Sequence, residues 1–198
     1  EKLKIPTAKY KRLGIAFSDS ELDDMEFPVV VKPLDKYGSR GVLVLYSVEE
    51  IKKHFDFVCA TSEVKEILVE EYNDGYEFNM MSWVLDGKVY VISIADREKT
   101  PVCTNDIPIS TRNVYPSKLI HNVYAEAKDI LQRVANFTGQ TSGVLSMQFF
   151  WSPGAPISVC EVAGRFFGYE HELVDYCCGL KVENLLLDYL YNESALRR

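Results

Sequence analysis

Asp86-Gly87 limits the fold of this chain more than any other pair of residues. The pair separates two stretches that have the composition of strands, Tyr76 to Leu85 and Lys88 to Ala95. Asp-Gly adopts the positive φ angles that a two-residue hairpin turn requires, so the two stretches are predicted to pair as an antiparallel β-hairpin. A sheet with antiparallel strands is therefore expected in the middle of the chain.

A second group of elements precedes this hairpin. The run from Phe27 to Val31 is apolar and β-branched, which is typical of a buried strand. Pro33 is expected to end that strand because proline removes a ladder hydrogen bond. A strand from Gly41 to Tyr46 follows a loop, and Ser47 to Glu50 fits the capping box of a helix. This order of strand, loop, strand and helix predicts a small, compact lobe.

The part of the chain after the hairpin predicts further strands and helices. Residues 96–115 show no clear periodicity and predict a long loop that is functional or mobile. Pro116 suits the first turn of a helix that Gly139 would end. Two short strands on either side of Trp151 to Gly154, followed by two helices, complete the predicted α+β arrangement.

Composition and charge exclude several classes of protein. The 198 residues are 47% hydrophobic and 26% charged, as in an ordinary globular protein. A net charge of −7 argues against a nucleic-acid partner, because counterion release requires a basic face. No segment of the sequence predicts a membrane span or a signal peptide. The five irregularly spaced cysteines predict buried, reduced thiols in a cytoplasmic protein.

Lys32 is the first candidate ligand-binding residue. It ends an apolar strand, where a lysine side chain either reaches out to solvent or meets an anionic ligand. The loop that follows contains Gly38, Ser39, Arg40 and Gly41. Such a loop lets backbone amides approach phosphate oxygens closely, so it suits a polyphosphate. The pattern is not that of a P-loop, because G-x-x-x-x-G-K-[ST] is absent.

Gln148 and Glu161 form a second candidate group. They lie on strands joined by a tight turn, so they are expected to be cross-strand neighbours on one face of a sheet. An amide oxygen and a carboxylate suit a Mg²⁺ ion that also binds phosphate oxygens, and the simpler alternative is a polar pair on a wet sheet face. Cys160 and Val162, which flank Glu161, are expected to face a buried side. Arg165 is either a clamp for a carboxylate or phosphoryl group or an exposed loop arginine.

A third group of polar residues lies just before the hairpin. Glu70, Glu71 and Tyr72 end a predicted strand, where they are either solubilising edge residues or a hinge that pairs with an adenine edge. Glu77, two residues after Gly75, can accept hydrogen bonds from ribose hydroxyls. Carboxylates at strand ends are usually just solvated, so each of these assignments is a hypothesis.

These motifs, in this order, resemble those of the ATP-grasp superfamily, in the branch of carbamoyl-phosphate-synthase-like and other carboxylate–amine ligases. The likeness extends from Ile5 to about Asp188. It rests on a strand P-V-V-V-K-P with a loop G-S-R-G-V, a hinge E-E-Y with G-x-E, a helix opening P-S-x-L, and a final E-x-x-x-R. These motifs occupy residues 28–33, 38–42, 70–77, 116–119 and 161–165.

The resemblance implies a fold and a set of roles. The fold is α+β, with a small lobe at residues 1–72, a large lobe at residues 73–198, and ATP held between their mainly antiparallel sheets. Phosphates would contact Lys32 and the loop with Gly38, Ser39, Arg40 and Gly41, while Arg97 or Lys99 would reach the γ-phosphate. Adenine would contact Glu70, Glu71 and Tyr72, and ribose would contact Glu77. Gln148 and Glu161 would ligate Mg²⁺, with Mn²⁺ as a possible substitute, and Arg165 would steady an acyl phosphate.

The implied activity is that of an ADP-forming ligase, which activates a small-molecule carboxylate as an acyl phosphate for attack by an amine. The alternative is a non-catalytic or regulatory ATP-binding domain, because Ala163 stands where the family usually has a metal-bridging asparagine. Family members also begin with an N-terminal α/β domain, and nothing before Ile5 can supply it. This chain is therefore expected to be a fragment of a longer protein and inactive alone. The oligomeric state is left open.

Overall fold

The computed structural model describes residues 3–36, 38–60, 62–101, 106–168 and 170–191. The strands in these ranges are β1 Tyr10–Gly14, β2 Val29–Pro33, β3 Leu43–Leu45, β4 Glu66–Glu71, β5 Tyr76–Leu85, β6 Lys88–Lys99, β7 Ser110–Val114, β8 Ser142–Trp151 and β9 Ser158–Ala163. The α-helices are α1 Val48–Cys59, α2 Ile120–Thr138, α3 Glu170–Cys178 and α4 Val182–Tyr191. None of these helices has both the length and the apolar character needed to cross a membrane.

The chain divides into two compact units. Unit 1 contains Glu1–Thr7, Gly75–Glu98 and Thr111–Arg198, and unit 2 contains Ala8–Asp74 and Lys99–Ser110. Each unit has its own β-sheet, and the α+β class with antiparallel pairing is confirmed. An isolated β-bridge attaches the short segment of each unit to the rest of that unit. Thr7 pairs with Val159 in unit 1, and Asp106 pairs with Leu43 in unit 2.

The sheet of unit 2 has the strand order β1-β4-β2-β3. Val29 and Val31 are fully buried in a core that also contains Ile51 and Phe55 of α1, so α1 covers one face of this sheet. The predicted cap at Ser47 is confirmed, because the Glu50 backbone N–H donates to Ser47 Oγ at 3.2 Å. The reciprocal bond of a capping box is replaced, since Glu50 Oε2 accepts from the Tyr46 N–H at 2.8 Å. Since side chains alternate along a strand, the residues between the buried valines belong to the opposite face.

The sheet of unit 1 has the strand order β7-β6-β5-β8-β9. The predicted hairpin is confirmed: Asp86 and Gly87 have φ angles of 50° and 73°, and Leu85 pairs with Lys88 across the turn. Apolar side chains from β5 and β8 pack against α2 in one buried cluster, which includes Phe78, Met80, Met147, Phe149, Ala127 and Ile130. The helix α2 therefore covers one face of the sheet, and the opposite face is not covered by α2.

Two expectations for residues 96–120 are wrong. The predicted loop has strand at both ends, because β6 continues to Lys99 and the chain returns as the edge strand β7 from Ser110. The helix α2 begins at Ile120 and not at Pro116. Ser117 holds the intervening residues in a non-helical path, since its N–H donates to Ile94 O at 2.8 Å and its hydroxyl donates to Asp96 at 2.5 Å.

Most cysteines in the described part of the chain are not buried. Cys59 lies in the core of unit 2, where burial raises the pKa of its thiol. Cys160, Cys177 and Cys178 are exposed, which contradicts the prediction of buried thiols. For Cys160 the cause is a β-bulge: Glu161 pairs with Gln148 and Val159 pairs with Phe149, so Cys160 is the extra residue and the expected alternation breaks there. Cys103 lies outside the described residues.

Candidate functional site

The face of the unit 1 sheet opposite α2 carries the candidate metal residues. Gln148 on β8 lies directly opposite Glu161 on β9 in the ladder. Residues opposite each other in a ladder point to the same side of the sheet, so the prediction that they are cross-strand neighbours is confirmed. Asn79 on β5 is opposite Gln148 on its other side, which places three polar residues in one row across the sheet.

A buried carboxylate lies beside this row. The side chain of Glu77 is only 7% exposed, and its Oε1 lies 2.8 Å from Arg97 Nη1. The same oxygen accepts a hydrogen bond of 2.5 Å from Gln148 Nε2. A carboxylate this deeply buried requires charged or polar donors to offset its loss of water, and Arg97 and Gln148 are two such donors.

The bond to Glu77 also fixes the amide of Gln148. A carboxylate accepts hydrogen bonds and cannot donate them, so the atom of Gln148 that faces Glu77 must be the nitrogen. The amide oxygen then lies on the opposite edge of the amide group, away from β5. Glu161, on the neighbouring strand β9, lies on that side of β8.

Glu161 and Arg165 form the exposed end of the row. The Glu161 side chain is 48% exposed, and its Oε1 lies 3.9 Å from Arg165 Nη2. Arg165 is also held by Phe166 O, which accepts from Nη1 at 3.3 Å, and by the Phe167 ring, whose centroid lies 5.8 Å from the guanidinium carbon. A positive group therefore lies next to the carboxylate predicted to bind metal.

These residues fit a divalent cation only if a ligand supplies further oxygens. Within the described ranges, no three or more His, Cys, Asp or Glu side chains are grouped so as to hold a metal ion. Gln148 and Glu161 offer one amide oxygen and one carboxylate, and Ala163, which pairs with Ser146, offers no side-chain ligand. Mg²⁺ commonly binds through one or two protein carboxylates together with phosphate oxygens, so the donor set suits a cation carried by a phosphate compound.

A polar cluster that no sequence pattern predicted lies next to this row. Asn79 Nδ2 donates to Glu170 Oε1 at 2.5 Å, and the Tyr115 hydroxyl donates to the other oxygen of Glu170. On the same face, the buried atoms Asn79 Oδ1, Ser93 Oγ and Ser146 Oγ have no hydrogen-bond partner among the described residues. The available signal was Asn79 itself, a polar residue within the apolar run Phe78 to Met81.

In unit 2, Lys32 and Glu70 lie on the sheet face opposite α1. Lys32 Nζ is 2.6 Å from Glu70 Oε2, and both side chains are partly exposed. The strands β2 and β4 bring them together, since Lys32 pairs with Leu68 and Val30 pairs with Glu70. Two residues assigned to different parts of a nucleotide thus contact each other, as an ion pair at the surface.

The loop after Lys32 has the positive φ angles that its glycines suggest. Gly38, Ser39 and Gly41 have φ angles of 67°, 59° and 70°, and Ser39 through Arg40 is exposed. Gly41 packs closely: a Cβ added there would lie 3.3 Å from Val58 O. Tyr37, at the start of the loop, lies outside the described residues.

Other predicted residues are engaged elsewhere. Glu71 Oε1 accepts from the Glu26 N–H at 3.1 Å and lies 3.8 Å from Lys9 Nζ. The Tyr72 N–H donates to Pro28 O at 3.1 Å, so this backbone donor is already used within unit 2. At the end of β6, Arg97 reaches Glu77, while Lys99 begins the segment Lys99–Ser110 of unit 2.

Comparison with solved structures first defines the class of fold. The chain is similar to biotin carboxylase from Campylobacter jejuni, with a TM-score of 0.74 and 14% identity over 94% of this chain and 43% of the other. It is also similar to the L-amino acid ligase from Bacillus licheniformis, with a TM-score of 0.65 and 20% identity over 91% of this chain and 42% of the other. At these identities the likeness shows a common fold.

Comparison of sequences then gives the family. A model of the ATP-grasp domain matches residues 25–171, and the chain belongs to the ATP-grasp family. It is 31% identical over 100 residues to the phosphoribosylamine–glycine ligase of Lactococcus lactis, which is 50% of this chain and 24% of that protein. It is 26% identical over 155 residues to the N-terminal section of the carbamoyl phosphate synthase large chain of Aquifex aeolicus, which is 76% of this chain and 27% of that protein. The chain therefore spans about a quarter of the length of these relatives.

Proposed function

We propose that this chain is the ATP-binding module of an ADP-forming ligase that activates a small-molecule carboxylate for attack by an amine. The observation that carries the proposal is the row on the unit 1 sheet: an amide and a carboxylate opposite each other, with Arg165 beside them. Membership of the ATP-grasp family supports it, as do relatives named as ligases. The lobes at residues 1–72 and 73–198 stay a prediction.

In this proposal Lys32 supplies positive charge to the phosphates of ATP. Its present partner is the carboxylate of Glu70 at 2.6 Å. An ammonium that exchanges this carboxylate for phosphate oxygens leaves Glu70 able to accept from the exocyclic amine of adenine. The proposed phosphate contacts also include the backbone amides of residues 38–41 and the side chain of Arg97 or Lys99.

The remaining nucleotide contacts are assigned with the same family pattern. Glu71 and Tyr72 are proposed to line the adenine, although the Tyr72 N–H already donates to Pro28 O. Glu77 is proposed to face the ribose. Its Oε1 accepts from Gln148 and pairs with Arg97, which holds the carboxylate in place for the sugar hydroxyls.

Gln148 and Glu161 are proposed to hold Mg²⁺, or Mn²⁺ in its place. Such a cation, when bound, neutralises charge on the phosphates during transfer of the γ-phosphoryl group. The role of the protein is to orient the Gln148 amide through Glu77 and to keep Arg165 near Glu161. Arg165 then stabilises negative charge on the activated carboxylate. Position and charge, more than covalent chemistry, carry phosphoryl transfer of this kind.

The partners that we propose are a small carboxylic acid and an amine, in the cytoplasm. The net charge of −7 supports small molecules over nucleic acid. The exposed thiols of Cys177 and Cys178, which form no disulfide, support a reducing compartment.

Thermal unfolding with and without ATP and Mg²⁺ tests the binding part of the proposal. A ligand that binds only the folded protein raises its melting temperature. We expect such a shift in the wild type, and its loss in Lys32→Ala. Lys11→Ala is the matched control, because Lys11 is a similarly exposed lysine of unit 2 with its own ion pair, at 2.9 Å from Asp24. Equal shifts in both variants would contradict the role of Lys32.

A second experiment separates a ligase from a regulatory ATP-binding domain. The uncut protein is incubated with ATP, Mg²⁺ and paired carboxylates and amines, and phosphate release is measured. Release that requires both substrates, and that Arg165→Gln lowers while the ATP-dependent thermal shift remains, supports the ligase. Nucleotide binding without any substrate-dependent release across a broad panel would favour the regulatory domain.

A further inference from the structure

A recess in unit 1 lies outside every role proposed above. It has a volume of about 480 Å³ and opens between the end of β7 and one side of α3. Arg112 and Tyr115 line it from the strand side, Lys118 from the lead-in to α2, and Leu173 and Cys177 from the helix. A volume of this size is within the range of sites that hold small molecules.

The charged side chains that line the recess are both cationic. Arg112 and Lys118 are the charged residues of its lining, and both are paired to one carboxylate, that of Glu98. Arg112 Nε donates to Glu98 Oε2 at 2.8 Å, and Lys118 Nζ lies 3.6 Å from Oε1. Glu98 alone balances only one of these two positive charges, and the nearby Asp96 accepts from the Lys118 backbone N–H at 3.1 Å.

The other side of the recess is apolar and held in place. Leu173 and Val114 contribute aliphatic surface, and Cys177 Sγ donates to Tyr115 O at 3.6 Å, which ties α3 to the end of β7. The Tyr115 hydroxyl donates to Glu170, whose other oxygen accepts from Asn79, so the tyrosine is fixed from the sheet as well. The walls are therefore set before any ligand arrives.

We propose that this recess binds a small organic carboxylate, with its acid group at Arg112 and Lys118 and its carbon chain against Leu173 and Val114. The Nε and Nη2 atoms of Arg112 already donate to Glu98, so the acid group of the ligand would accept from the remaining Nη1 and Nη2 hydrogens at the end of the planar group. Arg112 and Lys118 lower the pKa of Glu98, chiefly through the hydrogen bond from Arg112. This direction is consistent with stabilisation of a negative charge at the opening of the recess. The inference does not depend on nucleotide binding, and its test uses none.

Isothermal titration calorimetry with acetate, succinate and glutamate tests the proposal, with succinamide as an uncharged analogue of succinate. At low salt we expect saturable binding of at least one acid and none of the amide. The Arg112→Gln variant is expected to bind that acid about tenfold more weakly, the loss of one charge-assisted contact. Lys118→Gln is expected to have a smaller effect in the same direction.

Arg12→Gln is the matched control. Arg12 is also an exposed strand arginine bound to one glutamate, Glu66, with exposures of 61% and 36% against 66% and 37% for Arg112 and Glu98. This variant should bind the acid as the wild type does. Equal weakening in both arginine variants would mean nonspecific attraction to surface charge and would overturn the proposal.

Amide signals in nuclear magnetic resonance locate the ligand in the wild-type protein without any variant. Shifts that follow the acid concentration at Val114, Tyr115 and Leu173 support the recess. Saturable shifts confined to other residues, or no saturable change with any of the three acids, would overturn the proposal. Because ATP is absent throughout, failure here is distinct from failure of the thermal-shift experiment.

Discussion

The two sheets of this protein are organised alike but carry their charges differently. Each has one face packed on a helix and one polar face. In unit 2 the polar face carries an ion pair, Lys32 with Glu70, whose side chains are 30% and 24% exposed. In unit 1, Glu77 is nearly buried and is held by both Arg97 and Gln148.

This difference separates groups that can change partners from groups that cannot. A partly exposed ion pair contributes little to stability, so Lys32 can leave Glu70 for a ligand at low cost. A buried carboxylate with two donors is expensive to disturb, because each donor would be left without its partner. The unit 2 pair is thus suited to bind and release, and the unit 1 network to hold the Gln148 amide in one orientation.

The largest effect is expected in the core beneath the unit 1 network. Phe149→Ala should lower the free energy of unfolding by about 4 kcal/mol, since Phe149 is fully buried and stacks on Phe78 with ring centroids 5.0 Å apart. Urea unfolding followed by tryptophan fluorescence reports this unit, because Trp83 and Trp151 both belong to it. A loss below about 2 kcal/mol would mean that the site collapses around the cavity.

Glu77→Ala against Glu70→Ala tests the comparison directly. Removing Glu77 leaves the guanidinium of Arg97 without its carboxylate, and a loss of about 3 kcal/mol is expected. Removing Glu70 from the exposed pair should change stability by less than about 1 kcal/mol. Both are measured by urea unfolding, with far-ultraviolet circular dichroism to include unit 2. Similar losses in the two variants would refute the distinction drawn between the units.

Gly41→Ala against Gly38→Ala tests the loop of unit 2. Both glycines have positive φ, so an alanine at either costs about 1 kcal/mol of backbone strain. At Gly41 the new methyl would also lie 3.3 Å from Val58 O, whereas at Gly38 no atom of the described residues beyond its chain neighbours lies within 4 Å. Gly41→Ala is therefore expected to be the more destabilising of the two in thermal unfolding. The reverse order would show that Gly41 is not tightly packed.

The smallest effect concerns Glu98. Its pKa is lowered from a usual value of 4.5, first by the hydrogen bond from Arg112. A lowered pKa means that the stabilising contribution is present above the usual value and is lost as the pH falls through the lowered one. Carboxyl signals in a magnetic resonance titration should show Glu98 titrating below 4.5, and Arg112→Gln should raise its pKa. Arg12→Gln should leave it unchanged.

The features that the sequence predicted correctly are those set by neighbouring residues. The hairpin at Asp86-Gly87 follows from turn chemistry, and the facing of Gln148 and Glu161 follows from the short connection between their strands. The roles assigned to these and the other candidate site residues stay predictions.

The missed features depend on contacts between distant residues. Glu170 and Asn79 are 91 positions apart, and no local pattern pairs them. The strand β7 has the sequence Ser-Thr-Arg-Asn-Val, which lacks the apolar alternation of a half-buried strand, and its place at the sheet edge explains that composition. The bulge at Cys160 has no glycine or proline to mark it.

The polypeptide passes from one unit to the other four times, after residues 7, 74, 98 and 110. A protease that cut only after Asp74 would therefore not free either unit. Thr7 would stay bridged to Val159, and Leu43 to Asp106, with one member of each bridge on each fragment. Nicked protein should elute intact from a sizing column and come apart only in denaturant, and unit 2 cannot be produced as one uninterrupted piece of the gene.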